Sequence, residues 1–188
     1  GLEPDQIVKL CQWAETQTGE KPVEPANFNA PGQIVISGKK ALLDWLSSNL
    51  DTTIFAPQTP RAKLIPLKVS APFHCSLMKP AADMLKAGLE QVPFQSPKLP
   101  VLNNIDVRFE TDPLAIKDAL YRQAFGPVRW VQTIATFAQL GATWVVECGP
   151  GKVLTGMVKR IAPTLQSSAI YDPITLQEFK NNLTGAQP

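Results

Sequence analysis

Val23-Glu24-Pro25-Ala26-Asn27-Phe28-Asn29-Ala30-Pro31-Gly32-Gln33-Ile34-Val35-Ile36-Ser37 decides how the first part of this chain folds. Two short runs rich in apolar and β-branched residues, Val23–Phe28 and Gln33–Ser37, flank Asn29-Ala30-Pro31-Gly32, a cluster of turn formers. The stretch reads as a β-hairpin. Upstream, Ile7, Val8, Leu10, Cys11 and Ala14 recur at helical spacing between Pro4 and Thr18, and Gly19 and Pro22 stop that helix. Downstream, Gly38 and a lysine pair lead into a helix whose apolar face holds Leu42, Leu43 and Leu46. A Pro-rich loop, Ala56–Pro60, then precedes a strand expected over Lys63–Val69. The order is helix, strand, strand, helix, strand. One strand placed in front would complete β-α-β-β-α-β, the split ferredoxin-like unit. The chain is therefore expected to open inside such a unit, with its first strand missing.

The pattern changes after Ser70. Leu77–Val92 reads as a helix with Pro80 in its first turn, and Pro93, Pro97 and Pro100 break the chain. Val101-Leu102 is a short strand candidate. Helices are predicted at Pro113–Phe125 and Val128–Leu140. Thr143–Glu147 reads as an apolar strand of the buried, parallel-sheet type. Gly149-Pro150-Gly151 is a tight turn into a helix over Lys152–Ile161, and Asn181–Pro188 reads as a tail. The expected organisation is α/β, with a small subdomain over residues 1–69 and part of a larger domain over 70–188.

The composition narrows the function classes. Hydrophobic residues make up 44% of the 188 and charged residues 18%, enough apolar material for a packed core. A net charge of +2 and a pI near 8.5 give no footprint for nucleic acid. Cys11, Cys75 and Cys148 are odd in number and widely spaced, which disfavours a disulfide framework or zinc site and suits reduced thiols in the cytoplasm. No apolar run reaches membrane-spanning length, and no metal or other cofactor is indicated.

His74 is the one histidine. It sits in Val69-Ser-Ala-Pro-Phe-His-Cys-Ser-Leu-Met, after an expected strand and before an expected helix. Loops at strand ends in α/β domains collect catalytic side chains, but a packed or capped histidine fits the same spacing. Gly149-Pro150-Gly151-Lys152 matches neither GxxxxGK[ST] nor GxGxxG, so close packing explains it better than a phosphate. Asn27, Asn29 and Gln33 bracket the hairpin turn, and Asn103-Asn104 suits a cap. Asp83, Glu90, Asp106 and Glu110 show no acid/base pairing and are placed on the surface. No serine stands in the G-x-S-x-G context that builds a strained nucleophile elbow.

Five blocks in order carry a resemblance. They are Asn27-Phe-Asn-Ala-Pro-Gly-Gln-Ile-Val-Ile-Ser-Gly, Val69-Ser-Ala-Pro-Phe-His-Cys-Ser-Leu-Met-Lys-Pro-Ala, Pro100-Val-Leu-Asn-Asn-Ile-Asp, Tyr121-Arg-Gln through Pro127-Val-Arg-Trp, and Val146-Glu-Cys-Gly-Pro-Gly-Lys-Val-Leu-Thr-Gly. Together, from about Pro22 to Ile161, they resemble the malonyl-CoA:acyl-carrier-protein transacylases of fatty acid synthesis. The resemblance implies an α/β-hydrolase-like large domain with a ferredoxin-like small domain inserted, the chain returning to the large domain near Val69. It implies a serine–histidine ping-pong transfer with His74 as the base. The histidine would be oriented by a backbone carbonyl at the position of Gln123. Asn27, Asn29 and Gln33 would face the substrate cleft, and Phe73 would crowd an α-methyl group and so favour malonyl.

The departures are large. The family's G-Q-G oxyanion loop, its G-H-S-L-G elbow and the arginine for the malonyl carboxylate are absent, and all would precede Gly1. The expected partners are therefore malonyl-CoA, acyl carrier protein and the missing N-terminal half of the same enzyme. A catalytically dead carrier-binding fragment is the alternative, docking through Lys39, Lys40, Arg61, Lys63 and Lys68. A domain cut from a polyketide or multifunctional synthase is a third reading.

Overall fold

The computed structural model describes residues 1–185. It forms two compact units, Gly1–Thr133 and the part from Ile134 onward. The division falls within a helix, Trp130–Gln139.

The first unit opens with α1 (Pro4–Thr18), β1 (Val23–Ala30), β2 (Gln33–Gly38) and α2 (Lys40–Asn49). Pro4 starts α1, where its missing N–H costs no helical bond. Gly19 ends α1 in the left-handed region, its N–H donating to the Glu15 carbonyl at 2.9 Å. The helical periodicity has its expected result. Leu10 and Ala14 of α1 and Leu42 and Leu46 of α2 are buried against Val23 and Phe55, while Trp13 and Trp45 stack obliquely with centroids 5.1 Å apart. β1 and β2 pair antiparallel from Val23↔Gly38 to Ala30↔Gln33, with register shifts after Pro25 and after Phe28. Gly38 is required there, because a Cβ would lie 2.3 Å from the Pro22 carbonyl oxygen.

The strand expected over Lys63–Val69 does not form. Ile65, Leu67 and Val69 are 69%, 57% and 64% exposed, and Pro66 interrupts the donors with its missing N–H. A strand is a pairing, and among the described residues no strand runs beside this segment. Of the expected helix-strand-strand-helix-strand order, the structure shows α1-β1-β2-α2 without the last strand.

The rest of this unit contains two 3₁₀ turns, Thr52–Phe55 and Ser76–Met78, then α3 (Lys79–Glu90) and α4 (Pro113–Gln123). Both helices are shorter than predicted. The Ser76–Met78 turn takes up the start expected of α3, and α4 stops two residues before Phe125. Asp112 caps α4, accepting from the Ala115 N–H at 2.9 Å. Tyr121 clasps α3 to α4: its hydroxyl donates to Asp83 at 2.7 Å and accepts from Lys79 at 2.6 Å. Val101-Leu102 is not a strand; Leu102 makes a single bridge to Phe109.

α5 (Trp130–Gln139) leads into β3 (Trp144–Cys148), α6 (Val153–Ile161), β4 (Gln166–Ile170) and α7 (Pro173–Gly185). β3 and β4 pair in parallel from Trp144↔Gln166 to Cys148↔Ile170, with α6 as the crossover. β3 was expected to be buried but is half-buried. β4 escaped sequence reading because Gln166-Ser-Ser-Ala-Ile shows no apolar alternation. α7 replaces the expected tail as far as Gly185; residues 186–188 lie outside the described residues. Among the described residues, no helix is long and apolar enough to cross a membrane.

Leu46→Ala should cost about 2–5 kcal/mol by urea denaturation, through lost burial and a residual cavity. Leu99→Ala, at a side chain 76% exposed, should stay within about 0.5 kcal/mol. The cysteines should differ in reactivity. Burial, then Glu15 and Glu24, push the Cys11 thiol up to about 12, whereas Cys148 is exposed. A thiolate-selective reagent at about pH 8 should label Cys148 first and leave Cys11 unmodified while the protein stays folded.

Candidate active site

His74 shares a turn with Phe73, after bends at Ser70 and Ala71 and just before the 3₁₀ turn Ser76–Met78. Its φ is 61°, in the left-handed region, which costs a non-glycine residue roughly 1–2 kcal/mol. The surroundings hold it there. The Cys75 thiol, fully buried, donates to the Pro72 carbonyl at 3.2 Å. The Ser76 N–H and hydroxyl donate to the two carboxylate oxygens of Glu24, on β1, at 2.6 and 2.9 Å. His74 Nδ1 lies 3.0 Å from the Gln123 carbonyl oxygen. A carbonyl can only accept, so Nδ1 carries the proton and Nε2 presents a lone pair. Among the described residues Nε2 has no hydrogen-bond partner, and the residue is half-buried. The arrangement can take up a proton at Nε2 without turning the ring.

Gln123 is the last residue of α4, so its carbonyl belongs to the helix end that lacks intrahelical partners. Its side chain does separate work, donating weakly to the Gly126 and Pro127 carbonyls at 3.3 and 3.4 Å. The preceding residue anchors the helix end. Arg122 grips both oxygens of Asp106 at 2.8 and 2.6 Å and reaches Asp118 at 2.6 Å. Asp106 is therefore no plain surface carboxylate, as its sequence context had indicated. The Arg122 hydrogen bonds hold it below the usual carboxylate range, against the opposing effect of burial. Asn103 and Asn104 brace the same region: Asn103 Oδ1 accepts from the Asp106 N–H, and Asn104 accepts from the Arg129 N–H and the Thr133 hydroxyl. A side chain at Gly126 would collide with Ile105 Cδ1 at 2.4 Å.

The segment after Gln123 returns to β1. The Val128 N–H donates to the Ala26 carbonyl at 2.8 Å, and the Phe28 N–H donates to Val128 at 2.9 Å, making a parallel bridge centred on Asn27.

No family model matches the chain. It is 45% identical to the malonyl CoA-acyl carrier protein transacylase of Salmonella typhimurium over 94% of its own length and 54% of that protein's. It is 44% identical to the Escherichia coli K12 transacylase over 92% of its own length and 53% of that protein's. Over nearly all of its length the chain is homologous to proteins named malonyl CoA-acyl carrier protein transacylase. It spans about half the length of the curated relatives it matches. The fold agrees. An acyl carrier protein S-malonyltransferase from Vibrio cholerae superposes with a TM-score of 0.85 at 44% identity, over 95% of this chain and 56% of that one. A malonyl-transacylase solved in complex with a type II polyketide acyl-carrier protein gives 0.85 at 41% identity, over 97% and 56%.

Within this transacylase framework, His74 and Gln123 are brought into contact and Asn27 is tied by its bridge to the segment that follows Gln123. Asn29 is half-buried near the end of β1, Gln33 is exposed at the start of β2, and Phe73 is 47% exposed directly before His74. The Gly149-Pro-Gly turn offers no anion site. The Glu147 carboxylate already takes the Thr155 N–H and hydroxyl at 2.8 Å each, at the start of α6. Burial alone would raise that carboxyl, but bonds from Thr155, Leu154 and Val153 outweigh it and keep it low. Sequence reading missed Glu24, Ser76 and Arg122. Arg122 and Ser76 carried a signal, since each lies in a matched block close to Gln123 or His74, whereas Glu24 lies outside the blocks.

The Asp106–Arg122 pair sets a pH dependence. Its contribution is complete above the ordinary Asp value of 3.8 and is lost as pH falls through the lower folded-state value. Between about pH 5 and about pH 2.5 the urea midpoint should fall more steeply for the wild type than for Asp106→Asn. Parallel slopes would show that the pair adds nothing.

Proposed function

We propose that this chain supplies the base half of a serine–histidine malonyl transfer from CoA to the phosphopantetheine thiol of acyl carrier protein, in fatty acid biosynthesis. The observation that carries the reading is the 3.0 Å contact between His74 Nδ1 and the Gln123 carbonyl, which leaves Nε2 as the proton acceptor. Nε2 takes the serine hydroxyl proton as the oxygen attacks the malonyl thioester, and returns it to the departing CoA thiolate. In the second half-reaction it takes the proton of the carrier's thiol. The thiolate attacks the malonyl-serine ester, and the serine oxygen recovers the proton. The serine, the oxyanion donors and the arginine for the malonyl carboxylate belong to polypeptide outside these 188 residues, and this chain alone is expected to be inactive. No cofactor takes part, and the compartment is the cytoplasm.

Phe73 beside His74 would exclude an α-branched acyl group, and Asn27, Asn29 and Gln33 would contact substrate or its water. The boundary near residue 69 is where the chain would pass from the small to the large domain. An acidic carrier protein would meet Arg61, Lys63 and Lys68, all exposed, more readily than Lys39 and Lys40, which already pair with Glu20 and Asp44. The carrier complex of a structural relative supports that partner.

The test is a chimera in which this chain replaces its counterpart in the Salmonella transacylase. It should transfer malonyl to acyl carrier protein, and His74→Ala should lower kcat by about 10²–10⁴-fold. Transfer unaffected by His74→Ala overturns the base assignment. A folded chimera that binds the carrier and transfers nothing leaves a docking role only.

A further inference from the structure

We propose that Glu24 is a positioning residue for His74, holding the histidine segment at the distance from α4 that its bond to the Gln123 carbonyl needs. The inference rests on His74 being the base. It begins with how little holds residues 70–76. Their hydrogen bonds to distant parts of the chain are of two kinds: His74 to Gln123, and Ser76 to Glu24. Their other hydrogen bonds are local: Phe73 to Ala71, Cys75 to Pro72, Met78 to Cys75 and Lys79 to Ser76. Without Glu24, the His74–Gln123 bond would be the one hydrogen bond left, among the described residues, between this segment and a distant part of the chain, with only the packing of buried Cys75 beside it.

Both oxygens of the Glu24 carboxylate take part in this contact. One oxygen accepts from the Ser76 N–H at 2.6 Å and the other from its hydroxyl at 2.9 Å, across 52 residues of chain. The N–H is an orphan donor at the start of the 3₁₀ turn, and Cys75, at the cap position, supplies no side-chain bond to it. A carboxylate from another element does what a local cap residue ordinarily does, with charge-assisted bonds. Two residues earlier, His74 sits at φ 61°, a conformation that persists only where its neighbours impose it.

β1 also carries the other end of the arrangement. Ala26 and Phe28, two and four residues after Glu24, hold Val128, and Gln123 reaches the intervening turn through the Gly126 and Pro127 carbonyls. At about 3.3 Å per residue the two anchor points lie roughly 7–13 Å apart along one strand. The strand acts as a spacer bar between the imidazole and its acceptor.

His74 is the only histidine of the chain, so its ring nitrogens give an unambiguous ¹⁵N NMR signature. With the ring neutral, the wild-type chain should show the Nδ1–H tautomer. Glu24→Ala should lose that preference, moving population toward Nε2–H. Glu24→Gln, whose amide can accept from the Ser76 N–H and donate to its hydroxyl, should recover most of it. Ser76→Pro removes both donors from the other side and leaves β1 intact. Proline suits the first position of the turn, and Cys75 is already extended at φ −134° and ψ 169°. It should reproduce Glu24→Ala, and it decides the matter if Glu24→Ala does not fold. In the chimera, Glu24→Ala should lower kcat about 10- to 100-fold, the scale of a small misplacement of a catalytic group, with KM within about twofold. An unchanged tautomer ratio in folded Glu24→Ala or Ser76→Pro overturns the proposal. A wild-type chimera that transfers no malonyl overturns the function instead, and the tautomer ratios still decide the role of Glu24.

Discussion

Two backbone hydrogen bonds, between Val128 and the free edge of β1, set the frame on which the geometry around His74 depends. One edge of β1 is occupied by β2, and the other takes a single residue of the segment that follows α4. Because these are main-chain bonds, they fix position without specifying side chains. The same strand meets the histidine segment through Glu24. The packed core of α1, α2 and the hairpin backs that strand, with Leu10, Leu42 and Leu46 buried in it, so the core contributes to where the His74 segment sits.

The imidazole is oriented by a neutral carbonyl at a helix end. A carboxylate partner would bring a second titrating group to the ring. A carbonyl brings a fixed acceptor whose position depends on how the helix terminates. That places weight on the end of α4, and the structure secures it with Arg122, Asp106 and Asn103. Gly126 allows the turn beyond it to pass close to Ile105. The carboxylates of the surrounding elements have partners of their own: Asp106 has Arg122, and Glu24 has Ser76.

Much of the local structure was legible in the residues, and the failures have physical causes. α1, α2 and the hairpin follow from periodicity and turn chemistry, which act over a few residues. Lys63–Val69 has the composition of a strand but lacks a neighbour, and composition cannot supply one. β4 is the reverse case: its polar sequence pairs because β3 lies alongside. The start of α3 and the end of α4 moved by two residues each because a 3₁₀ turn and a helix terminus depend on caps, which propensity averages away.

By itself, then, the sequence determined the elements whose signals are local: the helical faces, the Pro-Gly hairpin, the parallel-strand character of Thr143–Glu147, and, ahead of a helix, the place of the single histidine, His74. Motif blocks matched in order also placed Gln123 opposite it. Tertiary structure alone decided what those residues touch. Glu24 and Ser76 are 52 positions apart, and His74 and Gln123 are 49 apart, so no local pattern encodes either contact. A hydrogen bond needs two groups within about 3 Å, and over such separations only the packing of the chain sets that distance.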